Sequence, residues 1–244
     1  MRRMRMVGVA IGAAFMVAGA KAIKLGMDAV ESENLFEVSM GKMAKSARNW
    51  SKELRKNLGL NDYELRKTIG TFNVMFKSMG MGAEKAYDLS TGLVELTYDM
   101  ASFYNLRPEE AFEKVRSGMV GMSRPLLELG INLQAMQLQT LAATMGFKKN
   151  WQEMTEAEKV MVRYRALIEQ TGDAQGDMAR TLDSPANKVR LLKESFVGFL
   201  TDVGKKIIAP DGPISGIDAI RGKLEEWRDW VDKNGDKIQG FFKD

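Results

Sequence analysis

At 244 residues the chain is long enough to bury a sizeable core in one or two domains, and 36 Lys and Arg against 32 Asp and Glu leave it a net charge of +4. It contains no Cys and no His. That excludes disulfide frameworks, thiolate nucleophiles, Cys-based zinc sites, Ser–His and Cys–His catalysis and HExxH metallopeptidases. Carboxylates, Lys and Ser–Lys pairs are the chemistry that remains, and no constellation in the sequence singles any of them out.

The chain opens on MRRMR, followed by the uncharged run MVGVAIGAAFMVAGA at residues 6–20. Three readings fit it. A secretory signal has such a charged start, an apolar centre and a small-residue exit like Ala18-Gly19-Ala20. A membrane span needs about 20 apolar residues, and Lys21 and Lys24 interrupt this one early. The third reading is a small-residue helix that packs against other helices or copies of itself: Gly8 and Gly12 form a GxxxG, and Ala14, Ala18 and Ala22 extend the spacing that lets backbones approach. Ala22, Ile23, Met27 and Val30 continue the apolar face past any cleavage point, which favours the packing helix.

The positive excess is N-terminal, with 11 Lys and Arg against 5 Asp and Glu in residues 1–60. Lys42, Lys45, Arg48, Lys52, Arg55 and Lys56 recur every three or four residues. This is the pattern of a solvated helix face; contact with DNA or anionic lipid is the other reading. The aromatic or base-reading side chains of a sequence-specific nucleic-acid module are not beside them.

Leu89, Leu93, Leu96, Met100 and Phe103 fall at the spacing of a helix buried along one side. Asn105-Leu106-Arg107 ends it, and Pro108 suits the first position of the next helix, with Glu109 and Glu110 toward the positive end of its dipole. Arg107 is a poor capping residue there. That helix is expected to run to about Ser117, with Gly118 and Gly121 bracketing a break. Pro125 then restarts a short helix that Gly130 closes in a left-handed conformation. Asn132 is expected to cap a helix with Leu133, Met136, Leu141 and Met145 on its buried face, ended by Gly146. Thr155 and Glu158 form a T-x-x-E capping box before Val160, Met161, Tyr164, Leu167 and Ile168, with Gly172 as the stop. The last long helix begins near Ser184-Pro185 and carries Val189, Leu192, Phe196, Phe199 and Leu200 on one face.

Two prolines and a glycine in APDGP at 209–213 cannot continue a helix, so a separate amphipathic segment is expected beyond them. Ile217, Ile220, Leu224, Trp227, Val231 and Ile238 lie largely on one side of it, with a turn at Asn234-Gly235-Asp236. The expected divisions are an apolar then basic helical segment at 1–60, a helical core at 61–208 and the amphipathic segment at 209–244. No alternating β-branched run argues for a strand. The fold class is all-α, an elongated multi-helix assembly with an apolar N-terminal helix and short turns punctuated by Gly and Pro.

The remaining features read as structure. The 18 Met residues, Met79 and Met81 among them, suit core filling more than a dedicated groove. Gly80 and Gly82 lack the preceding strand and the Lys-Ser/Thr of a phosphate loop. Adjacent carboxylates at Glu109-Glu110 and Glu225-Glu226 point apart on a helix and cannot oppose each other across a substrate. Asp173 and Asp177, four apart, supply too few oxygens for a metal. No catalytic residue, metal or cofactor is indicated.

Two stretches are more specific: DMASFYNLRPEEAFEKVRSGMVGMSRPLLELGIN at 99–132 and DAQGDMARTLDSPAN at 173–187. Ala101-Ser102-Phe103, Glu110-Ala111, Ser117-Gly118, Gly121, Pro125-Leu126 and Leu129-Gly130-Ile131 carry the pattern in the first. Gly176-Asp177, Ala179, Thr181 and Ala186-Asn187 carry it in the second. In order and spacing, over residues 28–205, this resembles the core region of phage tail tape measure proteins. One departure is Met122, where such proteins usually have Glu after the second Gly of SG-x-x-G.

The resemblance implies a non-enzymatic scaffold of a phage or prophage tail. Members of that family occupy the tube lumen of the virion, assemble in the bacterial host cytoplasm, set tail length by templating tube-subunit polymerisation, and leave ahead of the genome. The implied partners are the tail tube protein, tail assembly chaperones and distal tail or baseplate proteins, with self-association and host-membrane contact through residues 6–20. Asp177 is expected to act as a local cap or turn residue. At ~1.5 Å per residue the chain could span at most roughly 370 Å as one helix, so a core region or truncated product is expected rather than a complete ruler. The alternative from another class is an exported or membrane-anchored helical interaction protein that uses residues 1–30 for targeting.

Overall fold

A computed structural model describes the backbone of residues 2–209 and the side chains of residues 19–209. The chain is all-α; among the described residues there is no strand. In chain order the helices are α1 (Arg2–Met40), α2 (Ala44–Leu58), α3 (Asp62–Ser78), α4 (Ala83–Phe103), α5 (Pro108–Met119), α6 (Arg124–Leu127), α7 (Ala135–Thr144), α8 (Glu156–Gln170), α9 (Asp177–Arg180) and α10 (Pro185–Ile208). Short 3₁₀ turns stand at Gly41–Met43 and Trp151–Glu153. The side chains of residues 6–18, the boundary segment after Ala209 and the amphipathic stripe ending at Ile238 lie outside the described residues.

Glu31–Gly198 forms one compact unit. Its core stacks Phe72 on Phe76 with ring centroids 6.0 Å apart and sets Phe112 edge-on to Phe72 at 5.0 Å. Leu65, Ile69, Leu93, Met100, Met119 and Leu167 are fully buried around them, each contributing about 1.5–3 kcal/mol by leaving water. The predicted α4 stripe is used here: Leu93, Leu96 and Met100 are buried and only Phe103 stays exposed. Met79 and Met81 also pack against this core.

The basic run of α2 divides by residue type. Lys42, Lys45, Lys52 and Lys56 are exposed, whereas Arg48 pairs with Glu33 and Glu37 of α1, and Arg55 with Asp62 of α3 at 3.1 Å. Buried Arg66 completes the set, its Nη1 donating to Asp62 at 2.8 Å and its Nε to Glu33 at 3.0 Å. A guanidinium presents several donors in one plane and so joins three helices where a lysine would serve one.

The other compact unit contains the described residues of Met1–Val30 together with those that follow Gly198. Here α1 and α10 touch backbone to backbone. A Cβ on Gly204 would overlap the Ala22 carbonyl oxygen, and one on Gly26 would fall 2.5 Å from the Gly204 carbonyl carbon. Small residues four apart, Ala22 and Gly26, thus permit close approach to Gly204. Among the described residues no helix is long and apolar enough to cross a membrane.

Helix stops follow one device. After α5, Gly121 N–H donates to Gly118 O at 3.1 Å and Met122 N–H to Ser117 O at 2.9 Å, the paired bonds of a Schellman motif, with Gly121 at φ +96°. The same pairing ends α6 at Gly130 (φ +80°), with Ile131 N–H on Leu126 O at 3.0 Å. It also ends α4 at Asn105, the one non-glycine described residue with positive φ. Leu106, Met122 and Ile131, each directly after the left-handed residue, are all apolar, as the motif prefers.

Three expectations are corrected. Gly118 is not at a break: α5 continues through it to Met119, because Gly118 serves close packing, and a Cβ there would overlap Leu126 Cδ1. Asn132 does not cap α7 directly: Gln134 is the N-cap, and Asn132 Oδ1 accepts from its N–H at 3.0 Å. The buried face of α7 is Leu138 and Ala142, with Met136 83 % exposed, since neighbouring helices rather than local periodicity decide which side of a short helix is covered.

Substitution at the three turn positions should therefore separate. Gly118→Ala should cost about 1–3 kcal/mol through overpacking against Leu126, Gly130→Ala roughly 1–2 kcal/mol through its backbone conformation in open space, and Pro125→Ala little. Thermal unfolding should show the two glycine variants lowered by about 2–4 °C per kcal/mol; equal midpoints for all three would contradict the assignment.

Candidate functional site

The end of α4 and the segment 173–190 meet in one polar clamp at the junction of α4, α9 and α10. Ser102, on the last turn of α4, donates its Oγ–H to Asp177 Oδ2 at 2.6 Å. It accepts from Asn187 Nδ2 at 2.9 Å. Asn187 Nδ2 also reaches Thr181 Oγ1 at 2.7 Å and Thr181 O at 3.1 Å, while Thr181 Oγ1 donates to Asp177 O at 2.7 Å. Asp177 and Asn187 are both buried. A buried amide or carboxylate is stable only when partnered, and here each has its partners within the motif.

Arg190 extends the clamp to the end of α4. Its Nη1 donates to Asn187 Oδ1 at 2.6 Å, and its Nη2 to the carbonyls of Ala101 and Leu106 at 3.1 and 3.0 Å. The C-terminal carbonyls of a helix carry partial negative charge and need donors, so a guanidinium suits them. From the same helix Asp99 caps α9 in trans, its carboxylate accepting from Gly176 N–H at 2.8 Å and Met178 N–H at 3.1 Å. Burial raises the Asp99 carboxyl above its ordinary value, against the lowering effect of those two backbone donors. Arg180 folds back over the same turn onto the Asp173 carbonyl at 2.8 Å.

Local sequence explains each placement. Pro185 starts α10 in its first turn and Ser184 Oγ accepts from Asn187 N–H at 3.2 Å, which aims Asn187 at the helix interface. Gly176, at φ +74°, lets the chain enter α9 in a left-handed conformation. Ala179 and Ala186 are exposed and take no part in the clamp.

The second cluster surrounds the SG-x-x-G element. Arg163 of α8 is buried; its Nη1 donates to Met119 O at 3.0 Å, and its guanidinium lies 5.4 Å from the Trp151 ring centroid. It satisfies a carbonyl at the end of α5 and passes directly against Gly121, where a Cβ would lie 2.9 Å from Nη2. Pro125 is within the first turn of α6. The Thr155–Glu158 box caps α8, with Glu158 N–H on Thr155 Oγ1 at 3.2 Å and Thr155 N–H on Glu158 Oε2 at 2.7 Å. Backbone donation from Thr155 and the Lys149 ammonium hold the Glu158 carboxyl below its usual value.

Structure therefore gathers Gly176, Asp177 and Asn187 in one place and Ser117, Gly118, Gly121, Pro125 and Gly130 in another, with Thr155 and Glu158 apart from both. Asp99, Arg163 and Arg190 are absent from the sequence-derived set. A charged residue inside an amphipathic pattern gives no local sign that a distant helix end will need it. In the clamp Ser102 hydrogen-bonds to a carboxylate, a second hydroxyl and an amide. The arrangement fastens the three helices together. No family model, curated protein or solved structure matches the chain.

Asn187→Ala should leave Ser102, Thr181 and Arg190 each short of a partner and cost about 1–3 kcal/mol. Asp173→Asn, at an exposed side chain of the same turn, should leave stability unchanged. Urea unfolding of the two variants checks both; an Asn187→Ala midpoint equal to the parent's would dismiss the clamp.

Proposed function

We propose that this chain is a structural scaffold of a phage or prophage tail, corresponding to the core of a tape measure protein, and that it acts in tail assembly and length determination without catalysing a reaction. One observation supports this reading: Ser102 from the first of the two resembling stretches and Asp177, Thr181 and Asn187 from the second, some seventy-five residues or more apart in sequence, interlock in one clamp, while the SG-x-x-G element of the first stretch forms a separate cluster. The Met122 departure leaves the turn after α5 intact, because Met122 contributes its backbone N–H to it. The partners are tail tube subunits, tail assembly chaperones and distal tail or baseplate proteins, met in the host cytoplasm and then in the tube lumen.

The α4 stripe is consumed by the core, so partner contact falls to another surface. Val189, Leu192 and Phe196 on α10 are 68, 71 and 54 % exposed. Their spacing of three and four residues makes an apolar seam, the pattern by which helices of separate chains pack as a coiled coil. We assign this seam to a second copy of the chain.

Deletion of the coding sequence from the parent phage or prophage should abolish tails or leave aberrant ones under the electron microscope; normal tails would sink the tape-measure reading. Sedimentation velocity should show self-association that Phe196→Glu weakens at least tenfold, about 1.4 kcal/mol or more. An unchanged association constant would remove the seam from the interface.

A further inference from the structure

A cavity of ≈ 210 Å³ opens between α3, α4, α5 and α10. That is more room than one bare ion fills. Its walls are largely apolar, with Phe112, Pro108 and the Tyr98 ring, while Glu64, Glu109 and Glu194 supply carboxylates from three different helices.

Neutralising partners are few. Among the described residues Lys67 is the one lysine on the wall and pairs with Glu64 at 3.8 Å from a half-exposed position, and Glu113, also on the wall, is paired with Arg116 at 2.7 Å. On α10 the Lys193 and Arg190 charges act on Glu194 only secondarily, and the Arg190 donors are directed to Asn187, Ala101 and Leu106. Glu194 accepts no hydrogen bond among the described residues. Burial and then the charges of Glu64 and Glu109 push its carboxyl up to about 7.

Tyr98 is an independent indication. It is 5 % exposed, lines the cavity, and its hydroxyl has no hydrogen-bond partner among the described residues. Burial, followed by the fields of Glu194, Glu64 and Glu109, raises the phenol well above its usual range. An unpaired hydroxyl on a cavity wall is a donor for whatever occupies the cavity.

We propose that this cavity binds an alkylammonium ion, its charged head between Glu194, Glu64 and Glu109 and its methylenes against Phe112 and Pro108. The chemistry separates this ligand from a metal. A hard divalent cation takes six or more oxygens at about 2.0–2.6 Å, and among the described residues no group of three carboxylates is placed to hold one. An ammonium tolerates looser spacing, donates three hydrogen bonds and is attracted to an aromatic face. The head comes either from a free diamine or from a lysine side chain of a partner. The proposal stands independently of the tail-scaffold reading.

Calorimetric titration of the full chain with 1,4-diaminobutane and, separately, with an Nα-acetyl-lysine methylamide probe tests it at pH 8 and pH 6. At least one amine should bind more tightly than sodium chloride of equal ionic strength explains. Tighter binding of the diamine indicates a free amine, and tighter binding of the capped lysine a partner side chain. Binding should weaken about tenfold at pH 6 as Glu194 takes up a proton, and about tenfold in the isosteric Glu194→Gln. If that variant fails to fold, a downward shift of the Glu194 pKa by an NMR pH titration with saturating amine is the equivalent readout on the parent. Absence of binding by both amines, or binding unchanged in Glu194→Gln and in Tyr98→Phe, overturns the proposal.

Discussion

The Asn187 side-chain amide is the point on which the arrangement of α4, α9 and α10 depends. Without its contacts to Ser102 and Thr181, the end of α4 and the start of α10 would present buried hydroxyls, a carboxylate and a guanidinium to one another with no common partner. Such a half-satisfied network is worse than an apolar contact, since each unpaired group keeps its desolvation penalty. An amide donates and accepts at once, so it joins hydroxyl, carbonyl and guanidinium in one plane. Asp177, which as an ion only accepts, closes the remaining donors of Ser102 and Arg180.

Helix ends matter more in this chain than helix middles. Apolar side chains hold many helices together equally well, whereas orphan carbonyls and N–H groups need particular partners. The protein meets that need in two ways. Left-handed residues at Asn105, Gly121 and Gly130 turn the backbone onto itself, and charged side chains from distant helices reach the groups still open, Arg190 at the end of α4, Arg163 at the end of α5 and Asp99 at the start of α9. The first is local in sequence and the second is not, yet both act on the same helices, so the turns and the clamp stabilise each other.

The same logic separates the two surfaces offered for function. On α10 the clamp fixes which side faces α4, and this leaves Val189, Leu192 and Phe196 outward. The cavity beside Glu194 arises one turn further along that helix, where α3 brings Glu64, α4 Tyr98 and α5 Glu109. Among the described residues the carboxylates outnumber the cations on its wall, so a bound cation relieves their repulsion, which is the physical reason for connecting them to a ligand.

Helix identity and helix stops were legible in the sequence because they rest on short-range chemistry: Pro108 and Pro185 at first turns, Gly121 and Gly130 in left-handed stops, Thr155 with Glu158 across one turn. The all-α class follows from the same signals, as does the apolar stripe of Leu93, Leu96 and Met100. Tertiary structure alone decided which faces are covered. It buried Leu138 and Ala142 rather than Met136, kept α5 helical through Gly118 so that Leu126 could close against it, and left the α10 seam open. It also recruited Asp99, Arg163 and Arg190 to helix ends far away in the chain and set Glu64, Glu109 and Glu194 around one cavity. Caps and turns are satisfied within four or five residues and so leave a local pattern, whereas a buried charge is satisfied by whichever helix packs beside it, and that neighbour is specified only when the whole core has formed.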